Sequence, residues 1–140
     1  MEIVANAVQT VAVNQDVLFT GTSVRGNASV MHREGSGIVT VRGLPNGQCR
    51  ARFKAVFGAN IAVPTGETVG PVQLAIAING EGVPTSLMIS TPLDVENFNN
   101  VSADIYIDVP IGCCTQLSVQ NAGTIPVNVQ NANFIVERVA

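Results

Sequence analysis

The segment CRARFK, residues 49–54, places a cation at every second position. The three cations are Arg50, Arg52 and Lys54, and small or apolar residues stand between them. Because successive side chains of a β-strand point to opposite faces, this alternation predicts a strand with one basic face and one apolar face. The side chains that we expect in the core are those of Cys49, Ala51 and Phe53.

Most of the remaining chain also has the pattern of short strands separated by Gly, Pro and Asn. Candidate strands include residues 16–20, 38–41, 48–58, 72–78, 83–89, 101–109, 125–130 and 133–139. The pair Asn79-Gly80 favours a type I′ hairpin turn between two of them, whereas Pro and Gly residues indicate a loop over 60–70. No long apolar repeat of helical period occurs. The sequence therefore predicts an all-β jelly-roll sandwich of about nine or ten short antiparallel strands, with residues 1–140 forming a single domain.

Charge is scarce and unevenly distributed along the chain. Charged residues make up 12% of the 140 residues, and the formal net charge is −3, which gives no reason to expect a nucleic acid partner. Six of the seven basic residues nevertheless lie between Arg25 and Lys54, a window whose one acidic residue is Glu34. No apolar stretch reaches membrane-spanning length, and the N-terminal segment lacks the features of a cleaved secretory signal. We therefore expect neither membrane insertion nor signal cleavage.

The sequence offers little to support catalysis. A nucleophile–base–acid triad needs a base such as histidine, and the one histidine, His32, has no nucleophile motif near it. The segment Gly35-Ser36-Gly37 lacks the Gly-Lys-Ser/Thr continuation of a phosphate loop. We expect His32 to be structural and the protein not to be an enzyme.

Metal binding is also unsupported by the spacing of possible ligands. Zinc would need Cys49, Cys113, Cys114 and His32, but adjacent cysteines lack the spacing with which paired thiolates hold one ion. A calcium site would need loops that converge on the ion. The acidic residues that could supply its ligands are Asp94, Glu96, Asp104 and Asp108. We expect no cofactor or metal. Three cysteines do not make a disulfide framework, so the expectation for them is buried free thiols.

A second strand has the opposite charge pattern to CRARFK. In residues 101–109, apolar side chains alternate with Ser102, Asp104, Tyr106 and Asp108. If the two strands met across a sheet or a subunit interface, each cation could find a carboxylate. The predicted interface residues are Arg50, Arg52, Lys54, Asp104, Tyr106 and Asp108.

Several blocks of the chain resemble known families. Residues 72–84, an apolar strand followed by Asn-Gly and then Val-Pro, resemble the hairpin of BclA-like C-terminal domains, which share the jelly roll of the C1q and tumour necrosis factor superfamily. The blocks GSGIVTVRGL (35–44), GANIAVPTG (58–66) and NVQNANFIVERVA (128–140) resemble small structural proteins of Firmicutes prophages. Unlike BclA, the chain has no collagen-like Gly-x-y stalk.

These resemblances imply a function based on assembly and surface attachment. They imply a compact homotrimer with an apolar, polar-lined axis, acting as a non-enzymatic virion component such as a capsid decoration or fibre-head protein, in contact with other virion or surface proteins. The alternative that they imply is a binding module on a bacterial cell or spore surface that recognises a glycan or another surface ligand.

Overall fold

The computed structural model describes all residues from Met1 to Ala140. It contains twelve strands and a single turn of 3₁₀ helix at Pro84–Ser86. The strands are β1 (Glu2–Ala5), β2 (Gln9–Val11), β3 (Gly21–Val24), β4 (Val30–His32), β5 (Val39–Arg42), β6 (Arg50–Ala62), β7 (Val72–Ile78), β8 (Glu81–Gly82), β9 (Met88–Ser90), β10 (Asn99–Pro110), β11 (Cys114–Asn121) and β12 (Val127–Arg138). No helix has the length and hydropathy needed to cross a membrane.

The strands form two antiparallel sheets, as a jelly-roll sandwich requires. Sheet A has the order β10-β6-β12-β1-β3, and β2 also pairs with β12. Sheet B has the order β4-β5-β11-β7-β8, and β9 also pairs with β7. One edge of the sandwich is therefore formed by β3 and β4, whereas β10 and β8 lie at the opposite edge.

Strand β6 confirms the alternation of its sequence and forms much of the core. Every second side chain from Ala51 to Ile61 is buried, and the intervening positions stay at least partly exposed. Phe57 packs edge-to-face against Phe19 and Phe134, with ring centroids 6.3 and 6.1 Å apart. Burial of these aromatic side chains adds to the hydrophobic stabilisation of the core.

The Asn79-Gly80 turn is confirmed, but the strand predicted after it is interrupted. Asn79 has φ +52° and Gly80 has φ +84°, as a type I′ turn requires. After the turn, only the two residues of β8, Glu81–Gly82, pair with β7 before Pro84 begins the 3₁₀ turn. Because proline has no amide hydrogen for a ladder, the predicted strand 83–89 is replaced by β8, the 3₁₀ turn and β9.

Other strand boundaries also differ from the sequence prediction. Residues 16–20 make a single β-bridge, Asp16 to Gln120, and no regular strand. β6 continues into the predicted loop and ends at Ala62. The two predicted C-terminal strands are one strand, β12, whose register shifts between Gln130 and Asn133. Asn131, with φ +55°, lies in this bulge, which accommodates the polar residues without ending the strand.

The prediction of buried thiols is wrong, since all three cysteines are exposed. Cys49 precedes β6 and is exposed, so it is not part of the core. Cys113 follows a turn, and Cys114 lies on the outer face of sheet B. Backbone crowding at the same end requires a glycine, because a Cβ on Gly43 would lie 2.2 Å from the carbonyl oxygen of Pro110.

Candidate functional site

The two charged strands predicted from the sequence are neighbours in sheet A. β6 and β10 pair antiparallel, with Arg52 opposite Asp108 and Lys54 opposite Tyr106. Their charged side chains all point away from sheet B, so they share the outer face of sheet A. Asp104, by contrast, lies opposite Val56. The structure thus brings together five of the six predicted interface residues and leaves Asp104 without a cation opposite it.

Asp108 pairs with two arginines of the same chain. Arg52 Nε and Nη2 donate hydrogen bonds of 2.8 and 3.0 Å to the two carboxylate oxygens of Asp108. Arg50 Nε lies 3.4 Å from Asp108 Oδ2. Such two-pronged contacts fix side-chain geometry. The hydrogen bond from Arg52 lowers the pKa of Asp108, and the same bond raises the pKa of Arg52.

Lys54 lies between an aromatic ring and a carboxylate-bearing residue. Its Nζ is 6.0 Å from the ring centroid of Tyr106, which is 65% exposed. On its other side, Lys54 is opposite Glu137 of β12. Tyr106 therefore presents an exposed aromatic ring beside a cation at the outer strand of the sheet.

The centre of the outer face is apolar. Val56 of β6 is opposite Ile135 of β12. Asn133, the next residue of β12 on the same face as Ile135, is opposite Val4 of β1. The three apolar side chains are only partly buried. Asn133 donates a hydrogen bond of 2.8 Å to Glu2 Oε2 at the border of this patch. Sequence alternation marks each outward position, but only the strand register shows that these residues come together.

Amide side chains occupy the end of the face opposite to the charges. Asn60 is opposite both Asn100 and Gln130, and Asn100 Nδ2 donates a hydrogen bond of 3.2 Å to Asn60 Oδ1. The outer face of sheet A thus runs from amides through an apolar centre to the charged rows. An apolar centre with a polar border is the usual composition of a protein–protein interface.

His32 has a structural position. Its Nε2 donates a hydrogen bond of 2.8 Å to the backbone oxygen of Ser36, and its ring packs edge-on against Phe19. Nδ1 is buried without a hydrogen-bond partner. No cysteine or serine side chain is hydrogen-bonded to the ring, so the geometry does not form a nucleophile–base pair.

The candidate calcium residues do not converge. Glu96 Oε1 accepts hydrogen bonds from Thr65 N at 3.0 Å and from Asn128 Nδ2 at 2.8 Å. Asp94 Oδ1 accepts one from Val95 N at 2.8 Å. No three His, Cys, Asp or Glu side chains lie close enough together to hold one metal ion.

Comparison with known proteins identifies the fold. No protein-family model and no curated protein matches the sequence. Among solved structures, the chain is similar to the globular domain of zebrafish complement 1qA, with a TM-score of 0.71 at 13% identity, over 99% of this chain and 95% of that one. It also matches the C-terminal domain of EclA, described as a sugar-binding protein, with a TM-score of 0.41 at 11% identity, over 95% of this chain and 79% of that one. The first likeness confirms the predicted C1q-like jelly roll.

Proposed function

We propose that this protein is a non-enzymatic binding module that assembles as a homotrimer. The observation that carries the proposal is the outer face of sheet A, with its apolar centre of Val4, Val56 and Ile135. On a single chain this centre is partly exposed to water. Association of copies through the face would remove it from water while the charged rows set the register.

The ion pairs refine how the charged rows contribute. Arg52 and Asp108 satisfy each other within one chain, and Arg50 contacts the same carboxylate, so these three residues form a polar border. Tyr106, Lys54 and Asp104 keep free hydrogen-bonding groups and are the charged-row residues that we propose contact a second copy. Six residues remain the proposed interface set, with these two roles divided among them.

The assembly is tested by mass measurement. Three copies of a 14.6 kDa chain make 43.8 kDa, and light scattering coupled to size exclusion should give that mass at micromolar concentration. Val56→Glu should shift it to 14.6 kDa, because a buried unpaired carboxylate opposes association. Leu93→Glu is the matched control, since Leu93 is 93% exposed in a loop. A wild-type monomer would refute the proposal, as would equal disruption by both variants.

We also propose that the protein is displayed on the surface of a particle or cell. The support for a phage virion is the resemblance of the three sequence blocks to prophage structural proteins, and a bacterial cell or spore surface is the alternative. Antibodies against the purified protein, applied in immunogold electron microscopy to phage particles, cells and spores, separate these settings. Label confined to the cell interior would contradict both. That residues 1–140 act as one domain remains a prediction.

A further inference from the structure

Three of the five arginines between Arg25 and Lys54 remain without an acidic partner after the fold has formed. Both ion pairs of the chain involve Asp108, and they engage Arg50 and Arg52 only. Arg25, Arg33 and Arg42 have no carboxylate oxygen within 4.0 Å. They follow β3, follow β4 and end β5, respectively. The cation-rich window of the sequence is therefore divided between sheet A and the β3–β4 edge of the sandwich.

Three neighbouring depressions lie along this edge. A depression of about 390 Å³ is lined by Met31, His32, Arg33, Ser36, Ile38 and Thr40. A second one of about 430 Å³ shares Met31 and His32 with the first and adds Arg25 and Glu34. A third, of about 340 Å³, shares Arg25 with the second and continues to Glu137 and Arg138. We call these three neighbouring depressions, which share lining residues, the edge groove.

The groove has exposed apolar side chains and arginines in its lining, and Arg42 lies beside it. Met31 and Ile38 are 49% and 40% exposed, and Arg42 Nη1 lies 3.8 Å from Met31 Sδ. Glu34 and Glu137 reduce the positive charge of the groove but leave the arginines in excess. Apolar side chains can pack against the C–H face of a sugar ring, while guanidinium groups bind carboxylate or sulfate groups through paired hydrogen bonds.

The backbone of Arg33 belongs to a hydrogen-bonded turn. Ser36 N donates a hydrogen bond of 3.0 Å to Arg33 O, and Gly35 has the φ of +90° that the turn needs. The 2.8 Å hydrogen bond from His32 to Ser36 O ties this turn to β4. A cation presented on a fixed turn loses less freedom on binding than one on a mobile loop.

We propose that the edge groove binds an acidic polysaccharide whose carboxylate or sulfate groups contact Arg25, Arg33 and Arg42. This inference rests on the ligand-binding part of the proposed function and names its site and ligand class. A nucleic acid fits less well, because no Phe, Tyr or Trp side chain lines the groove, and Phe19, which packs against His32, is fully buried and offers no surface for base stacking.

The test measures binding of the native protein to four immobilised polymers. These are polygalacturonate, dextran sulfate, neutral dextran and oligo-thymidine. We expect binding to polygalacturonate or dextran sulfate that weakens as salt increases, and the tighter of the two identifies the anionic group. The combined variant Arg25→Gln, Arg33→Gln and Arg42→Gln should lose about tenfold or more in affinity, as three exposed charge contacts predict.

A matched control separates the site from net charge. The combined variant Thr68→Glu, Thr85→Glu and Thr91→Glu makes the same change in net charge at exposed positions away from the β3–β4 edge, and it should bind as the native protein does. The inference is overturned by absence of binding to both acidic polysaccharides, by equal binding to neutral dextran, by tighter binding to oligo-thymidine, or by an equal loss in the control. Light scattering on the same samples distinguishes the two proposals. A trimer that binds neither acidic polysaccharide would refute only the proposal for the groove. A monomer that binds them would refute only the proposed assembly.

Discussion

Replacement of Asn121 by alanine should destabilise the protein strongly, although this residue carries no charge and lies far from the proposed interface. Asn121 is fully buried at the end of β11. Its Nδ2 donates hydrogen bonds of 3.0 Å to the backbone oxygens of Val11 and Ile125, and its Oδ1 accepts one of 2.9 Å from Gly123 N. Because Val11 belongs to sheet A and Asn121 to sheet B, the side chain joins the two sheets.

The magnitude follows from these three hydrogen bonds. At about 1 kcal/mol each, their loss would cost about 3 kcal/mol, and the buried backbone groups left without partners would add to that. For a chain of this length, such a loss should lower the melting temperature by about 10 °C.

Urea unfolding followed by circular dichroism measures the effect. The protein concentration must be held constant, because assembly would make the apparent stability depend on it. Asn97→Ala is the control, since Asn97 is exposed and its loss should change the free energy of unfolding by less than about 0.5 kcal/mol. A loss below about 1 kcal/mol for Asn121→Ala would refute the role assigned to its three hydrogen bonds.

Three further predictions concern charge, pH and thiols. Arg52→Glu and Asp108→Arg should each lower the urea midpoint of unfolding, and the double variant should recover most of the loss. Asp104→Arg combined with Arg52→Glu should not recover it. Equal recovery in both double variants would show that the register is wrong. Burial raises the pKa of Asp16 above its ordinary 3.8, an effect opposed by a hydrogen bond with Ser118, so the folded state binds the proton more tightly than the unfolded state and stability should fall as the pH rises from 3.8 through the raised pKa. Urea titrations of Asp16→Asn across that range should lack this fall, and an unchanged slope would contradict it. All three cysteines should react with a maleimide in the native protein, and mass spectrometry that finds fewer than three adducts without denaturant would contradict their exposure.

The sequence predicts the fold well where local pattern and tertiary environment agree. In residues 101–109, the apolar side of the alternation faces the core and the polar side is exposed, as predicted. Residues 72–78 coincide with β7, and Asn79-Gly80 adopts the turn that this pair favours. These features depend on side-chain period and turn chemistry, both of which are local.

Features that depend on long-range pairing could not be predicted. β1 and β3 have four residues each, too few for a period to be distinguished from chance, and they become strands because β12 and β1 provide hydrogen-bonding partners. The alternation that placed Cys49 in the core is correct for a strand, but β6 begins only at Arg50 and Cys49 is exposed. Likewise, the sequence could not show that Asp108, and not Asp104, is opposite Arg52, because register is set by the whole sheet.

The position of β12 has a consequence for how the protein folds. Although β12 is the last strand in the chain, it lies at the centre of sheet A, between β6 and β1, and β2 also pairs with it. Until its residues are available, β6 has a free inner edge and the N-terminal strands lack their main partner. Such long-range closure is slow and leaves strand edges open to association with other chains. We therefore expect folding intermediates that lack β12 to aggregate, and the last dozen strand residues to determine the yield of folded protein.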